Sequence, residues 1–154
     1  MAASSQGKIR VLIADDLACM RDSLRTVLSL DPDIEVVGEA ADGAEAVKLA
    51  AFLLPDVVIV DLEMPCCDGY ECTAELTERN LTRSVVALTI HSDPISRARA
   101  RAAGARMFLP KGTPIRQLIS AIHRAADVHT VPNRVAKPAI PATSGQWTGV
   151  TGPQ

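Results

Sequence analysis

Aromatic residues are scarce: one Trp, one Tyr and two Phe make up 3% of 154 residues, although 47% of the chain is hydrophobic. A core almost without rings must be filled by Val, Leu, Ile and Ala, as helices packed on a parallel sheet require. No run of 18 apolar residues occurs, which excludes a transmembrane helix. The stretch Met1 to Gly7 is small and polar, with no apolar signal-peptide core, so the expected location is the cytoplasm. Only four cysteines are present. In a chain long enough to bury roughly two thirds of its unfolded surface they read as reduced thiols, not a disulfide framework, and their spacing matches no zinc pattern. Neither sign of charge dominates, with 16 Lys and Arg against 18 Asp and Glu, so composition alone says little about partners. The distribution says more: Asp31, Asp33, Glu35, Glu39, Asp42 and Glu45 form one acidic segment, and Arg97, Arg99, Arg101 and Arg106 a basic one.

What is present alternates. Ile9 to Ala14, Ile34 to Gly38, Val57 to Val60, Val85 to Thr89 and Met107 to Pro110 read as short strands. Val57-Val58-Ile59-Val60 is continuous β-branched sequence, the pattern of a strand buried on both faces. Between them lie helical patterns. One carries Leu17, Met20, Leu24, Val27 and Leu28 and is expected to stop at Pro32; another runs Gly43 to Leu54, and a third from Asp68-Gly69 to about Arg79. The fourth starts at His91-Ser92-Asp93-Pro94 and stops at Gly104. The fifth follows Thr113-Pro114 and shows an apolar stripe of Ile115, Leu118, Ile119, Ile122 and Ala126. Strands alternating with helices indicate an α/β fold with a parallel sheet. The expected domain is 8–128. From His129 to Gln154 Pro, Gly, Ser and Thr dominate and no acid appears, the composition of a tail or interdomain linker whose one sticky residue is Trp147.

Four of the five expected strands end in residues that carry chemistry. The first strand ends in Asp15-Asp16, the third in Asp61, the fourth in Thr89 and the fifth in Lys111. Ligands of open parallel sheets bind at the carboxyl ends of strands, so these five side chains are expected to meet in one crevice. An ionised carboxylate is a ready phosphoryl acceptor that needs no general base. Its difficulty is repulsion: like charges ~4 Å apart cost on the order of 4 kcal/mol at an effective dielectric near 20. Clustered carboxylates form a hard-oxygen site for Mg²⁺, Lys111 adds a cation from another side, and the Thr89 hydroxyl can donate to phosphoryl oxygens.

With Met64-Pro65 and Asp68-Gly69 following Asp61, these elements resemble the response-regulator receiver domain of two-component signalling. The runs Glu35 to Gly43 and Leu88 to Asp93 are similar to its NarL/LuxR-type members. The resemblance implies a five-stranded parallel sheet of order 2-1-3-4-5 flanked by five helices, a flavodoxin-like receiver fold. It implies that Asp61 is the phosphoacceptor, that Asp15 and Asp16 hold Mg²⁺ with Asp61 and the carbonyl of Glu63, and that Lys111 binds the phosphoryl group. Thr89 matches the switch hydroxyl and Phe108 the switch aromatic. The implied donor is a histidine kinase or histidine phosphotransfer protein, and a homodimer is one form open to such a domain.

Departures from the family pattern are Gly112, where many receivers have proline after the lysine, and the acidic Glu63, expected to alter phosphoryl lifetime. On this reading the chain is a phosphorylated switch with weak self-phosphorylation and self-dephosphorylation, not an enzyme on a separate substrate, and it switches a protein-interaction surface. One alternative is the receiver portion of a NarL/LuxR-type DNA-binding transcription regulator; no DNA-reading helix is present, so this segment is not expected to bind nucleic acid directly. Another is an aspartate-nucleophile phosphohydrolase, which would need Asp where Glu63 stands. The thiols Cys66 and Cys67 are read as space-filling, and the basic helix around Arg97 and Arg101 as a candidate partner surface.

Overall fold

A computed structural model describes residues 7–64 and 68–127. Cys66, Cys67 and the segment from Val128 onward, with the expectations for the tail and Trp147, lie outside the described residues. The elements alternate as β1 Ile9–Ala14, α1 Ala18–Leu28, β2 Ile34–Ala40, α2 Gly43–Leu53, β3 Val57–Asp61, α3 Gly69–Glu78, β4 Ser84–Thr89, α4 Pro94–Ala103, β5 Met107–Pro110 and α5 Ile115–Ala126. The strands form one five-stranded sheet in the order β2-β1-β3-β4-β5, and every pairing is parallel. The expected architecture and strand order are what the fold contains.

Alternation along each strand divides the core. Val11, Ile13, Val57 and Ile59 turn to one face, where Leu24 and Leu28 of α1 and Leu118 and Ile122 of α5 cover them. Leu12, Ala14, Val58 and Val60 turn to the other, against Ala46, Val47 and Ala50 of α2 and Cys72 and Leu76 of α3. All of β3 is buried, as its continuous β-branched run requires. Because β3 is central and sandwiched, Asp61 at its end is held by backbone that has little freedom to move.

Helix ends follow side-chain chemistry. Asp42, Asp68 and Asp93 accept hydrogen bonds from the backbone N–H groups of Glu45, Glu71 and Ser96 at 2.8–2.9 Å, each satisfying an otherwise unpaired donor of the first turn. Gly104 closes α4 at φ +114°, a left-handed conformation that favours glycine. Three boundaries differ from expectation. α1 ends at Leu28, before Pro32, because the turns Leu30 N–H to Val27 and Asp31 N–H to Leu28 already fold the chain back after its last buried residue. β2 extends to Ala40, since its pairing with β1 continues through Ala14↔Ala40. Thr113 does not cap α5: its hydroxyl donates to the Pro110 carbonyl at 2.5 Å, and Pro114 takes the N-cap position without a side-chain bond.

Gly69 sets the approach of α3 to the end of β3. A Cβ there would lie 2.4 Å from the Asp61 carbonyl oxygen and 2.5 Å from Leu62 Cα, both backbone atoms. Gly69→Ala is therefore expected to cost about 2–3 kcal/mol, read as a lower urea midpoint at unchanged slope. An unchanged midpoint would mean that α3 does not hold the strand end in place.

Candidate functional site

The carboxyl ends of β1, β3 and β5 bring Asp15, Asp16, Asp61 and Lys111 together in one crevice, and β4 ends beside them in Thr89. Asp15 and Asp61 are 1% and 2% exposed, a degree of burial that an ionised carboxylate tolerates only with partners. Backbone supplies part of the need: Leu17 N–H donates to Asp15 Oδ1 at 2.9 Å and Glu63 N–H to Asp61 Oδ1 at 3.0 Å. Lys111 supplies the rest. Its Nζ lies 3.1 Å from Asp61 Oδ2 and 3.3 Å from Asp15 Oδ2. The lysine is held there because Lys111 N–H donates to the Thr89 carbonyl at 2.8 Å, extending the β4–β5 ladder, while Gly112 at φ +90° turns the chain away. The residue that departs from the family's proline thus occupies a conformation favouring glycine.

One ammonium between two buried carboxylates leaves charge uncompensated. Burial pushes the Asp15 carboxyl above its ordinary value; the Leu17 N–H bond opposes this, the Asp61 charge adds to it, and Lys111 draws it back. For Lys111 burial works against the charge, but the hydrogen bond and charge of Asp61, then those of Asp15, outweigh it and hold the ammonium above its ordinary value. A carboxyl raised on folding binds its proton more readily in the folded chain. Its penalty is absent below the unfolded value near 3.8 and grows as pH rises through the folded one. Asp15→Asn is expected to raise stability at pH 7, on the order of 1 kcal/mol as one relieved like-charge repulsion. The gain should shrink towards acid pH; a loss of stability at pH 7 in thermal melts would contradict it.

Asp15, Asp16 and Asp61 each present a carboxylate oxygen, and these atoms lie within 4.8 Å of one another. Asp16 is the most accessible of the three. Asp15 Oδ2 is buried and has no hydrogen bond of good geometry. Three converging hard oxygens, two of them from buried carboxylates that share a single ammonium, fit a small divalent cation such as Mg²⁺, and receiver domains generally bind Mg²⁺ at an acidic pocket of this kind. A second grouping, Asp31, Asp33 and His123, lies apart from the crevice, and there His123 Nε2 and Asp31 Oδ2 are 2.9 Å apart. This contact joins positions 92 apart in the chain, so no local sequence pattern marks it.

Thr89 is fully buried at the end of β4. Its hydroxyl accepts from His91 N–H at 2.8 Å and reaches Glu63 Oε2 at 2.5 Å, while Ile90 N–H donates to Glu63 Oε1 at 3.2 Å. Sequence reasoning considered the Glu63 carbonyl and its charge but missed this side-chain bridge between the β3–α3 and β4–α4 connections, since a contact over 26 residues leaves no local pattern. It also missed Arg21, which donates to the Asp15 carbonyl at 2.7 Å and to Glu39 at 3.1 Å and so anchors the acidic pair. Phe108 packs with Leu62, Ala87 and Ala100, and the Arg97 guanidinium lies 4.8 Å from its ring centroid. Arg99 stacks in the same way on Tyr70 at 3.8 Å.

Comparison with known proteins points to one family. The family model "Response regulator receiver domain" matches residues 11–123. The nitrate/nitrite response regulator NarL of Escherichia coli K12 is 32% identical over 142 residues, 91% of this chain and 65% of that protein. LiaR of Bacillus subtilis, a transcriptional regulatory protein, is 38% identical over 118 residues, 77% of this chain and 56% of that one. The chain thus spans between about half and two thirds of the length of these relatives. Among solved structures, the signal receiver domain of Mycobacterium tuberculosis NarL superposes with a TM-score of 0.74 at 34% identity, covering 78% of this chain and 97% of that domain. The response regulator domain of Thermotoga maritima CheB gives 0.72 at 34% identity, covering 79% and 98%. With the family model spanning most of the chain, and a doubly wound sheet whose strand ends gather three aspartates and a lysine, this chain belongs to the response-regulator receiver domains of two-component systems, of NarL/LuxR type.

Proposed function

We propose that Asp61 accepts a phosphoryl group from a phosphohistidine of a histidine kinase or histidine phosphotransfer protein, and that the modified domain switches a protein-interaction surface. The observation that carries this reading is the Lys111 ammonium 3.1 Å from a buried Asp61 carboxylate that shares its crevice with Asp15 and Asp16. In the transfer, an Asp61 carboxylate oxygen forms a bond to phosphorus as the bond from phosphorus to the donor's imidazole nitrogen breaks, and the electron pair stays on that nitrogen. Lys111 neutralises charge on the incoming group without a proton changing hands. Mg²⁺, held by Asp15, Asp16, Asp61 and the Glu63 carbonyl, would supply the further positive charge that three carboxylates and a phosphoryl group demand. Thr89 is the hydroxyl within β4 that can donate to the new oxygens, and Phe108, beside Arg97, is the ring whose packing would report it.

Receiver domains of response regulators interact with histidine kinases. Among the described residues no helix is long and apolar enough to cross a membrane. A cytoplasmic switch acting within residues 8–128, with 129–154 as tail or linker, is the arrangement we favour. The relatives named as transcriptional regulators favour an output in transcription through a DNA-binding part beyond the receiver unit. The phosphohydrolase alternative is disfavoured, because the Glu63 carboxylate is engaged by Thr89 and Ile90 and is not free to serve as a general acid.

The test is intact mass after incubation with Mg²⁺ and a small acyl phosphate. One added phosphoryl group is expected, and none when the metal is chelated. No added mass in the presence of Mg²⁺ would overturn the proposal.

A further inference from the structure

The Thr89 hydroxyl has a single proton, and two acceptors compete for it: Glu63 Oε2 at 2.5 Å and the His91 carbonyl at 3.1 Å. The shorter contact to an ionised acceptor is the stronger bond. Glu63 spends its other oxygen on Ile90 N–H, so both oxygens of one carboxylate are committed to the connection between β4 and α4. The backbone N–H of the same residue supports Asp61 Oδ1 at 3.0 Å. Glu63 therefore touches the proposed phosphoacceptor through its main chain and the buried hydroxyl through its side chain. Beyond the bridge the chain carries Ile90, 66% exposed, and then the Asp93 cap of α4.

We infer that the Glu63 carboxylate is a latch: it occupies the Thr89 proton in the unmodified domain, and a phosphoryl group on Asp61 must displace it for the switch to turn. Glu63 is then a positioning residue that acts through Thr89. The displacement has two parts. A phosphoryl oxygen offers Thr89 a competing anionic acceptor, and its charge repels Glu63, which has the same sign. When Thr89 turns away, the carboxylate loses the stronger of its two anchors. Ile90 N–H is then released with it, and the start of the β4–α4 connection is freed. The two hydrogen bonds open together because they end on one rigid carboxylate. A shorter side chain at position 63 would leave Thr89 to the weaker His91 carbonyl, and an uncharged amide there would hold the hydroxyl less strongly than the carboxylate does, so that a phosphoryl oxygen takes it more easily in either case.

This inference rests on the phosphoacceptor reading of Asp61, and the experiment separates the two. In the unmodified full chain, amide hydrogen exchange at Ile90 is compared between native protein and Glu63→Ala, with Glu63→Gln as the shape-preserving second variant. Loss of one hydrogen bond to a charged acceptor is expected to speed exchange at Ile90 about tenfold in Glu63→Ala. Equal exchange would overturn the latch whether or not Asp61 is ever phosphorylated. With Mg²⁺ and acyl phosphate, Glu63→Ala is expected to be phosphorylated about tenfold faster than native. Phosphorylated native protein is expected to lose the Ile90 protection that the unmodified protein shows. Phosphorylation of the native chain with Ile90 protection intact, or at the same rate in all three proteins, would overturn the latch while leaving the phosphoacceptor reading standing. Absence of phosphorylation in every protein, with Ile90 exchange still faster in Glu63→Ala, would overturn the phosphoacceptor reading and keep the bridge.

Discussion

Asp61→Asn is expected to gain no phosphoryl group under conditions in which the native chain gains one. The reason is nucleophilicity: a carboxamide oxygen carries no formal charge, and no nearby group is placed to activate it. The variant is a fair comparison because little else changes. Asn keeps an oxygen that can accept from Glu63 N–H, as Asp61 Oδ1 does at 3.0 Å. It also removes one of three carboxylates crowded within 4.8 Å, so its thermal midpoint should equal or exceed that of native protein. Intact mass and a melting curve on the same sample check both halves. A phosphoryl group on the folded variant would move the acceptor to another residue and sink the assignment.

Lys111→Met is expected to be the more damaging change to the fold. The methionine fills much of the same space but leaves Asp15 and Asp61, 1% and 2% exposed, without the ammonium that now lies 3.3 and 3.1 Å away. Removing one partner of a buried charge group costs several kcal/mol, and because the Lys111 side chain itself keeps 16% exposure, we expect about 2–3 kcal/mol at pH 7. The pH profile should be diagnostic. In the native chain the ammonium is held above its ordinary 10.5, so its contribution is fully present below that value and is lost as pH rises through the folded one. The variant should lack that alkaline decline. Its deficit should narrow towards acid pH, where the Asp15 carboxyl, already raised by burial, takes a proton. Acceptance of a phosphoryl group should slow at least about tenfold, since a preplaced cation on the transferred group is gone. Urea titrations across pH with phosphorylation rates measure all three, and a variant as stable as native at pH 7 would contradict the charge balance described above.

The chain announces its architecture locally. Val57 to Val60 is β-branched without interruption and becomes a strand buried on both faces; the stripe Leu118 to Ile122 becomes the buried side of α5. Asp42, Asp68 and Asp93 mark helix starts because a short carboxylate bonds backbone N–H groups only three residues away. The five polar residues at strand ends could be read for the same reason: a parallel strand shows where it stops, and parallel strands of one sheet end on one side. The elements misjudged were those whose limits depend on a neighbour. β2 runs on to Ala40 because β1 is there to pair with it, and Thr113 turns back to Pro110 although its type suits a cap.

What the amino-acid order determined by itself was the alternation of strands and helices, the split of the core into two faces, and which side chains stand at the strand ends. Only the tertiary structure decided that one lysine serves two buried aspartates, that Glu63 bridges to Thr89 and Ile90, and that His123 meets Asp31. The physical reason is range. Propensity, capping and hydrophobic period act over a few residues and are written in sequence, whereas charge and hydrogen bonding act through space between residues that the sequence holds far apart.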